Sequence, residues 1–320
     1  MTYLAQRLAT FPIILFGVSI IVFLAIRLVP GDAITAMLGT EAGLLTDAQR
    51  ESLAAYFGID QPMPVQYGHW AWGLLHGDLG LSVTYGKPVL NVILERFPLT
   101  LELAVLAMLI AVVVGVPAGV AAATRNGRFS DLIIRILAML GQSTPNFVLA
   151  LLMIFVLSVG FGQMPAMGDF VPLTRDPAGN LAQLILPAIT LGFAFAASVT
   201  RITRSAMLDV LADDYVRTAR SKGASGASVV WQHALPNALI PVVTLSGIEF
   251  GYLLGGTVIV EQIFALPGLG RLVLDAITQR DYALVEGAVL FIAANFTVLN
   301  LLVDLAYAWL DPRIRLGRPL

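Results

Sequence analysis

Six apolar runs limit what this chain of 320 residues can become. They cover residues 8–29, 99–123, 136–161, 181–199, 235–260 and 284–310. A helix needs about 20 mostly apolar residues to cross the hydrocarbon core of a bilayer. Lipid offers no hydrogen bonds, so a spanning segment must satisfy its backbone internally. The pattern therefore predicts an all-α polytopic membrane protein with six transmembrane helices. Composition supports this: 58% of residues are hydrophobic and 12% are charged. A soluble domain carries roughly 25% charged residues, so this chain cannot cover a globule with charge. The first run is too long for a cleaved signal peptide, and no small-residue cleavage site follows it.

Lys and Arg set the expected orientation. Arg7, Arg125, Arg128, Arg135, Arg201, Arg204, Arg217, Arg220, Lys222, Arg313, Arg315 and Arg318 cluster at one set of run ends. The others, among them Arg50, Lys87, Arg175 and Arg280, are spread over longer loops. The first face is expected to be cytoplasmic, with both termini on it.

Several functions are excluded. The formal net charge of -2 leaves no basic surface to track a nucleic-acid backbone. There is no cysteine, which removes thiolate chemistry and cysteine-based metal sites. His69, His76 and His233 have no carboxylate set beside them, so no metal site is expected. No Gly-rich phosphate loop, nucleophile elbow or zinc motif occurs. The chain reads as a conduit and not an enzyme. Its energy must come from a partner or from an ion gradient.

Residues 31–98 form the largest expected extramembrane piece, outside on this orientation. Thr46 and Gln49 fit a capping box, with Gly58 as a stop. A second helix is expected over 63–76. The segment is too small for its own core, and reads either as a cap on the outer ends of the spans or as a solvated insertion.

Two features inside the spans suggest chemistry. Gln142, Ser143, Thr144 and Asn146 surround Pro145, where facing lipid would be costly. They either bind helices together or line an aqueous path. Glu249 falls near the middle of the fifth run, and an ionisable residue there is a functional candidate by default. The alternative is a carboxyl hydrogen-bonded to a neighbouring helix.

The polar stretch 213–237 interrupts the apolar runs most abruptly. Gly223 is followed by nine residues, then His233, one residue, and Leu235-Pro236. This spacing resembles the signature loop of permease subunits of ATP-binding-cassette importers. Asp214-Tyr215, Thr218-Ala219-Arg220, Lys222-Gly223 and His233 are similar to the peptide and nickel branch of that family. Asp60-Gln61-Pro62, Gly77-Asp78-Leu79-Gly80, Thr100-Leu101-Glu102-Leu103, Pro267-Gly268-Leu269-Gly270 and Asp311-Pro312-Arg313 extend the resemblance over nearly the whole chain. It looks like the first of two permease subunits in a dipeptide or oligopeptide importer. Glu249 stands where that pattern has Gln, a departure that bears on substrate charge.

The resemblance implies a type I importer permease fold. Residues 1–30 would hold the first span, 31–98 an external subdomain and 99–311 the core permease domain. A coupling loop would occupy about 205–234, and 312–320 a cytoplasmic tail. It implies a bacterial inner membrane location and half of a path worked by alternating access. The expected partners are a second permease subunit, two ATPase subunits that bind ATP and Mg, and a periplasmic or lipid-anchored binding protein. Asp214, Tyr215, Arg217, Thr218, Ala219, Arg220, Lys222, Gly223, His233, Leu235 and Pro236 would form the ATPase-coupling element, with Tyr215 as aromatic anchor and Arg217, Arg220 and Lys222 as charge contacts. Similar permeases carry nickel, glutathione or opines. No Met or His cluster in the spans favours metal. A gradient-driven transporter would need more buried carboxylates than Glu249 and usually an internal repeat; the sequence shows no repeat.

Overall fold

The computed structural model describes residues 2–28, 43–57, 60–162 and 170–310. Among them the chain is helical, with one isolated β-bridge between Leu81 and Pro88. The expectations placed on Gly58 and on Asp311-Pro312-Arg313 lie outside the described residues. The helices are α1 (Thr2–Arg27), α2 (Asp47–Phe57), α3 (Met63–Leu75), α4 (Val89–Thr124), α5 (Phe129–Ser143), α6 (Asn146–Phe155) and α7 (Pro177–Leu211). They continue with α8 (Asp214–Ser221), α9 (Leu235–Gly256), α10 (Val258–Ile263), α11 (Leu269–Thr278) and α12 (Tyr282–Leu310). Among the described residues, five stretches are long and apolar enough to cross a membrane. A sixth counts if α5 and the helix beginning at Asn146 form one broken span.

That broken span differs from the single run expected over 136–161. α5 and the following helix are bent by 101°. Proline lacks an N–H and pushes the residue before it out of helical geometry. Thr144, just before Pro145, is extended at φ -86°, ψ 117°. The fifth run also breaks: α9 stops at Gly256, about two turns beyond Glu249. α7 runs to Leu211, well past the apolar run that announced it.

The described chain divides into two compact units. The first takes the residues up to Pro98 together with Pro267–Thr297. Its core joins Val89, Val92 and Ile93 of α4 to Leu269, Leu272 and Ala276 of α11 and to Leu284 and Ala288 of α12. Phe97 and Phe291 meet edge to face with centroids 5.1 Å apart. The expected capping box forms: the Thr46 N–H donates to Gln49 Oε1 at 2.9 Å, and the Gln49 N–H to Thr46 Oγ1 at 3.4 Å. α3 packs along the flank of α1. Tyr67 packs on Phe16 and Phe23, and Ser19 bonds the Tyr67 hydroxyl at 2.8 Å. The Arg27 guanidinium donates to Gln66, stacks 3.4 Å over the Phe23 ring and pairs with Glu286 at 2.6 Å. This pair ties the end of α1 to the first turns of α12.

The second unit takes Leu99–Leu266 and the chain from Val298. In lipid, helices associate through close packing of small residues. Gly115 and Gly119 of α4 meet α7 in this way. A Cβ on Gly119 would lie 2.5 Å from Thr203 Cβ, and one on Gly115 would lie 2.8 Å from the Ala196 carbonyl. Gly192 returns the contact: a Cβ there would be 2.8 Å from the Ala107 carbonyl. Glu261 is fully buried yet accepts from the hydroxyls of Thr100 at 2.9 Å and Thr257 at 2.7 Å. Its carboxylate ties α4 to the break before α10, and its backbone carbonyl accepts from the Leu266 N–H at 2.8 Å in the turn after α10, where Ala265 takes a left-handed φ of 54°.

The most heavily bonded carboxylate of the first unit is Asp281, which is 1% exposed. It accepts from the Ser82 hydroxyl at 2.5 Å, the Thr84 N–H at 3.0 Å and the Leu284 N–H at 3.2 Å. The last bond caps α12; the first two hold the 82–84 turn to it. Asp281→Ala should destabilise the protein by roughly 1–3 kcal/mol, because it strands buried donors. Thermal unfolding in detergent should show a lowered midpoint. An unchanged midpoint would refute the anchoring role.

Candidate functional site

The polar stretch folds as a braced projection. α7 ends at Leu211, and α8 begins three residues later. On α8 only Val216 is buried, and it pins the helix to the body. Tyr215 is 41% exposed, but its hydroxyl donates to the His233 carbonyl at 3.2 Å and accepts from Asn237 Nδ2 at 2.7 Å. The side chain expected to anchor a partner therefore also clips α8 to the start of α9. Arg217 pairs with Asp214 on the same exposed face, while Thr218 and Ser221 bond back to the α8 backbone. Lys222 stands exposed at the end of the helix.

Gly223 terminates α8 with φ +86°, a region that side-chain-bearing L-residues rarely occupy. Its N–H bonds the Arg220 carbonyl at 3.0 Å, and the Ala224 N–H bonds the Ala219 carbonyl at 3.1 Å. These bonds satisfy carbonyls a helix end leaves open. Ser225 then caps the next turn through the Ser228 N–H. A π-helical segment, Val229–Ala234, delivers His233 and leads into α9, where Leu235 is buried and Pro236 occupies the first turn. Proline has no N–H to donate, while the Leu235 N–H before it bonds the Val230 carbonyl of the π-helical segment.

Sequence reasoning missed the clasp beneath this projection. Asp131 of α5 is 2% exposed and receives Arg204 Nε at 2.7 Å and a second guanidinium nitrogen at 2.9 Å. The Gly127 N–H adds a third bond, and Asn126 accepts from Arg204. The turn between α4 and α5 is thereby fixed to the part of α7 that leads to α8. The pair is separated by 73 residues, and no local signal announces it.

A polar cleft opens elsewhere in the second unit, with a volume of about 330 Å³. The bend at Pro145 places Gln142 and Asn146 on its wall. α7 presents Leu191, Ala194, Phe195 and Ser198, a face at helical spacing, and α9 presents Glu249, Tyr252 and Leu253. Gln142 donates to Ser198 Oγ at 3.1 Å. Gln142, Asn146 and Glu249 are thus brought together. Ser143 and Thr144 are not among the lining residues; the Thr144 hydroxyl turns back to the Leu140 carbonyl at 2.7 Å. Ser198 and Tyr252 are the additions. Their signal was their spacing, three residues on from Phe195 and from Glu249.

A helical bundle with a polar cleft and an exposed basic projection is built as a membrane transport component. Residues 115–316 match the binding-protein-dependent transport system inner membrane component family, and residues 1–104 match the N-terminal domain found in such membrane components. The chain belongs to this family of multi-pass permeases. It is 44% identical to a putative peptide transport system permease protein of Brucella abortus, over 97% of this chain and 98% of that one. It is 40% identical to a probable peptide ABC transporter permease of Sinorhizobium fredii, over 98% and 99%. It is 41% identical to the glutathione transport system permease GsiC of Escherichia coli K12, again over 98% and 99%. The inward-facing methionine transporter MetNI matches 69% of this chain and 97% of its own, with a TM-score of 0.54 and 18% identity. The fold is that of type I importer permeases.

The clasp makes a prediction. Arg204→Ala strands a buried carboxylate and should cost about 3–5 kcal/mol. Arg204→Lys keeps the charge but loses the two-pronged geometry, and should fall between. Unfolding midpoints in the order wild type, Lys, Ala would bear this out; equal midpoints for Lys and wild type would rule out the bidentate contribution.

Proposed function

We propose that this chain is one of two permease subunits of an ATP-driven importer and forms half of a path for di- or oligopeptides. The relatives support the cargo class, since those from Brucella and Sinorhizobium are named for peptides. The carrying observation is the projection itself. α8 offers exposed Arg217, Arg220 and Lys222 on a helix whose base is clamped by Val216, Tyr215 and the Gly223 turn. A helix that is exposed on one side and rigidly seated on the other suits docking to a partner that pushes on it.

On this reading the projection faces the cytoplasm, as the Arg and Lys distribution implies, and both termini lie there. Two separate ATPase subunits bind ATP and Mg, hydrolyse ATP and drive α8. A periplasmic or lipid-anchored binding protein delivers cargo to the other side. The spans alternate between outward-open and inward-open states, and this chain itself catalyses nothing. Gln142, Asn146, Ser198, Glu249 and Tyr252 line the path where α5, α6, α7 and α9 present them; Ser143 and Thr144 contribute by shaping the bend. Glutathione is the second cargo, favoured by the similarity to the Escherichia coli permease.

Reconstituted vesicles test the scheme. Peptide uptake should require the ATPase subunits, ATP and the binding protein together. Uptake by this chain alone under a proton gradient would overturn it. A panel of di-, tri- and pentapeptides with glutathione settles the cargo. Gly223→Pro should abolish co-purification of the ATPases while leaving membrane insertion intact, because proline holds φ near -65° where the turn needs +86°. Undiminished co-purification would remove the turn from the coupling element.

A further inference from the structure

We propose that the cleft selects cargo by a primary ammonium group, held by the Glu249 carboxylate. This rests on the cleft being part of the transport path.

Glu249 is half-buried and, among the described residues, has no hydrogen-bond or ion-pair partner. Among the described residues it is the only carboxyl on the cleft wall, and none that lines the cleft is Arg or Lys. A carboxylate within an apolar helix is costly unless a cation compensates it. The described residues of this chain supply none at the cleft, and a cationic group on the occupant would compensate the carboxylate. The rest of the wall suits an amine. Asn146 and Ser198 offer oxygen acceptors for the remaining ammonium hydrogens. Tyr252, one turn after Glu249 and 64% exposed, offers an aromatic face of the kind that attracts cations. Leu191, Phe195 and Leu253 form an apolar floor for a small side chain beside the charge. A volume of about 330 Å³ is at the small end of ligand sites. It holds a charged end with a residue or so, not a whole oligopeptide. The rest of the cargo would extend out of the open cleft. A free amino terminus and a lysine side chain present the same group.

The chain has no cysteine, so an introduced thiol is the single one on this subunit, and labelling followed on this subunit reports the local field directly. In the complete transporter, Ser198→Cys should react roughly tenfold faster with a trimethylammonium methanethiosulfonate than with the sulfonate analogue, a difference of about 1.4 kcal/mol. Rates are normalised to those of a small free thiol. Adding Glu249→Gln, which is nearly isosteric, should erase the preference. Equal normalised rates with Glu249 present would overturn the proposal, as would a preference that survives Glu249→Gln.

ATP-driven uptake then separates the sources of the amine. Trialanine, N-acetyl-trialanine and N-acetyl-Ala-Lys-Ala are compared with the same binding protein throughout. Glu249→Gln should slow trialanine about tenfold if the amino terminus is read, and N-acetyl-Ala-Lys-Ala by a similar factor if a side-chain amine also serves. Equal slowing of all three peptides, or none, counts against the proposal. Ser198→Trp fills the cleft and tests the underlying reading separately. Uptake undiminished by it would take the cleft off the path, whatever the thiol rates show.

Discussion

The second unit depends on how closely α4 and α7 approach each other. Gly115, Gly119 and Gly192 bring backbone to within a side chain's thickness of backbone, and each would clash if it carried a Cβ. Inside a bilayer this contact must do what hydrophobic burial does in water, because lipid tails solvate apolar side chains as well as a neighbouring helix does. With α7 seated, its other faces are free to serve different ends. One meets α5 at Gly141 and Ala197, another lines the cleft from Leu191 to Ser198, and its last turns hold Arg204 against Asp131. The same helix then leads to α8.

Among the described residues, buried polar side chains are paired with few exceptions, and the pairing follows location. Asp281, Glu261 and Asp131 are buried and each accepts several bonds. Each fastens a place where the chain changes direction: the start of α12, the break before α10, and the link between α4 and α5. Helix ends leave backbone groups unsatisfied, and Asp281 and Asp131 accept from backbone N–H groups at such ends. Glu249 stands apart from this scheme. It fastens no turn and faces an opening.

Much of the architecture was legible in the sequence, for a physical reason. Apolar length is a strong signal when the solvent is lipid, so the runs at 99–123, 181–199 and 284–310 each became a helix. The capping box at Thr46 and Gln49 and the turn at Gly223 were legible because their chemistry is local. What escaped was either polar or distant. α7 runs on to Leu211 because residues after Val199 are amphipathic, which hydropathy does not register as helix. The bend at Pro145 was visible as an interruption, but its 101° angle was not, since proline fixes where a helix breaks and packing fixes the direction it resumes. The Asp131–Arg204 clasp had no signal at all. Tyr215 was read as a group for a partner, and its bonds to His233 and Asn237 could not be foreseen without the return of the chain.

The length of α7 has a mechanical consequence. Beyond its internal Pro187 the helix runs to Leu211 without another proline, about 36 Å at 1.5 Å per residue. The Gly192 and Gly115–Gly119 contacts sit along this rod and act as its bearing, while the projection hangs from its far tip. If the projection is driven as proposed, a push on it would reach the cleft along this helix. Stiffness along the rod, and not any single contact at either end, then sets how faithfully one end follows the other.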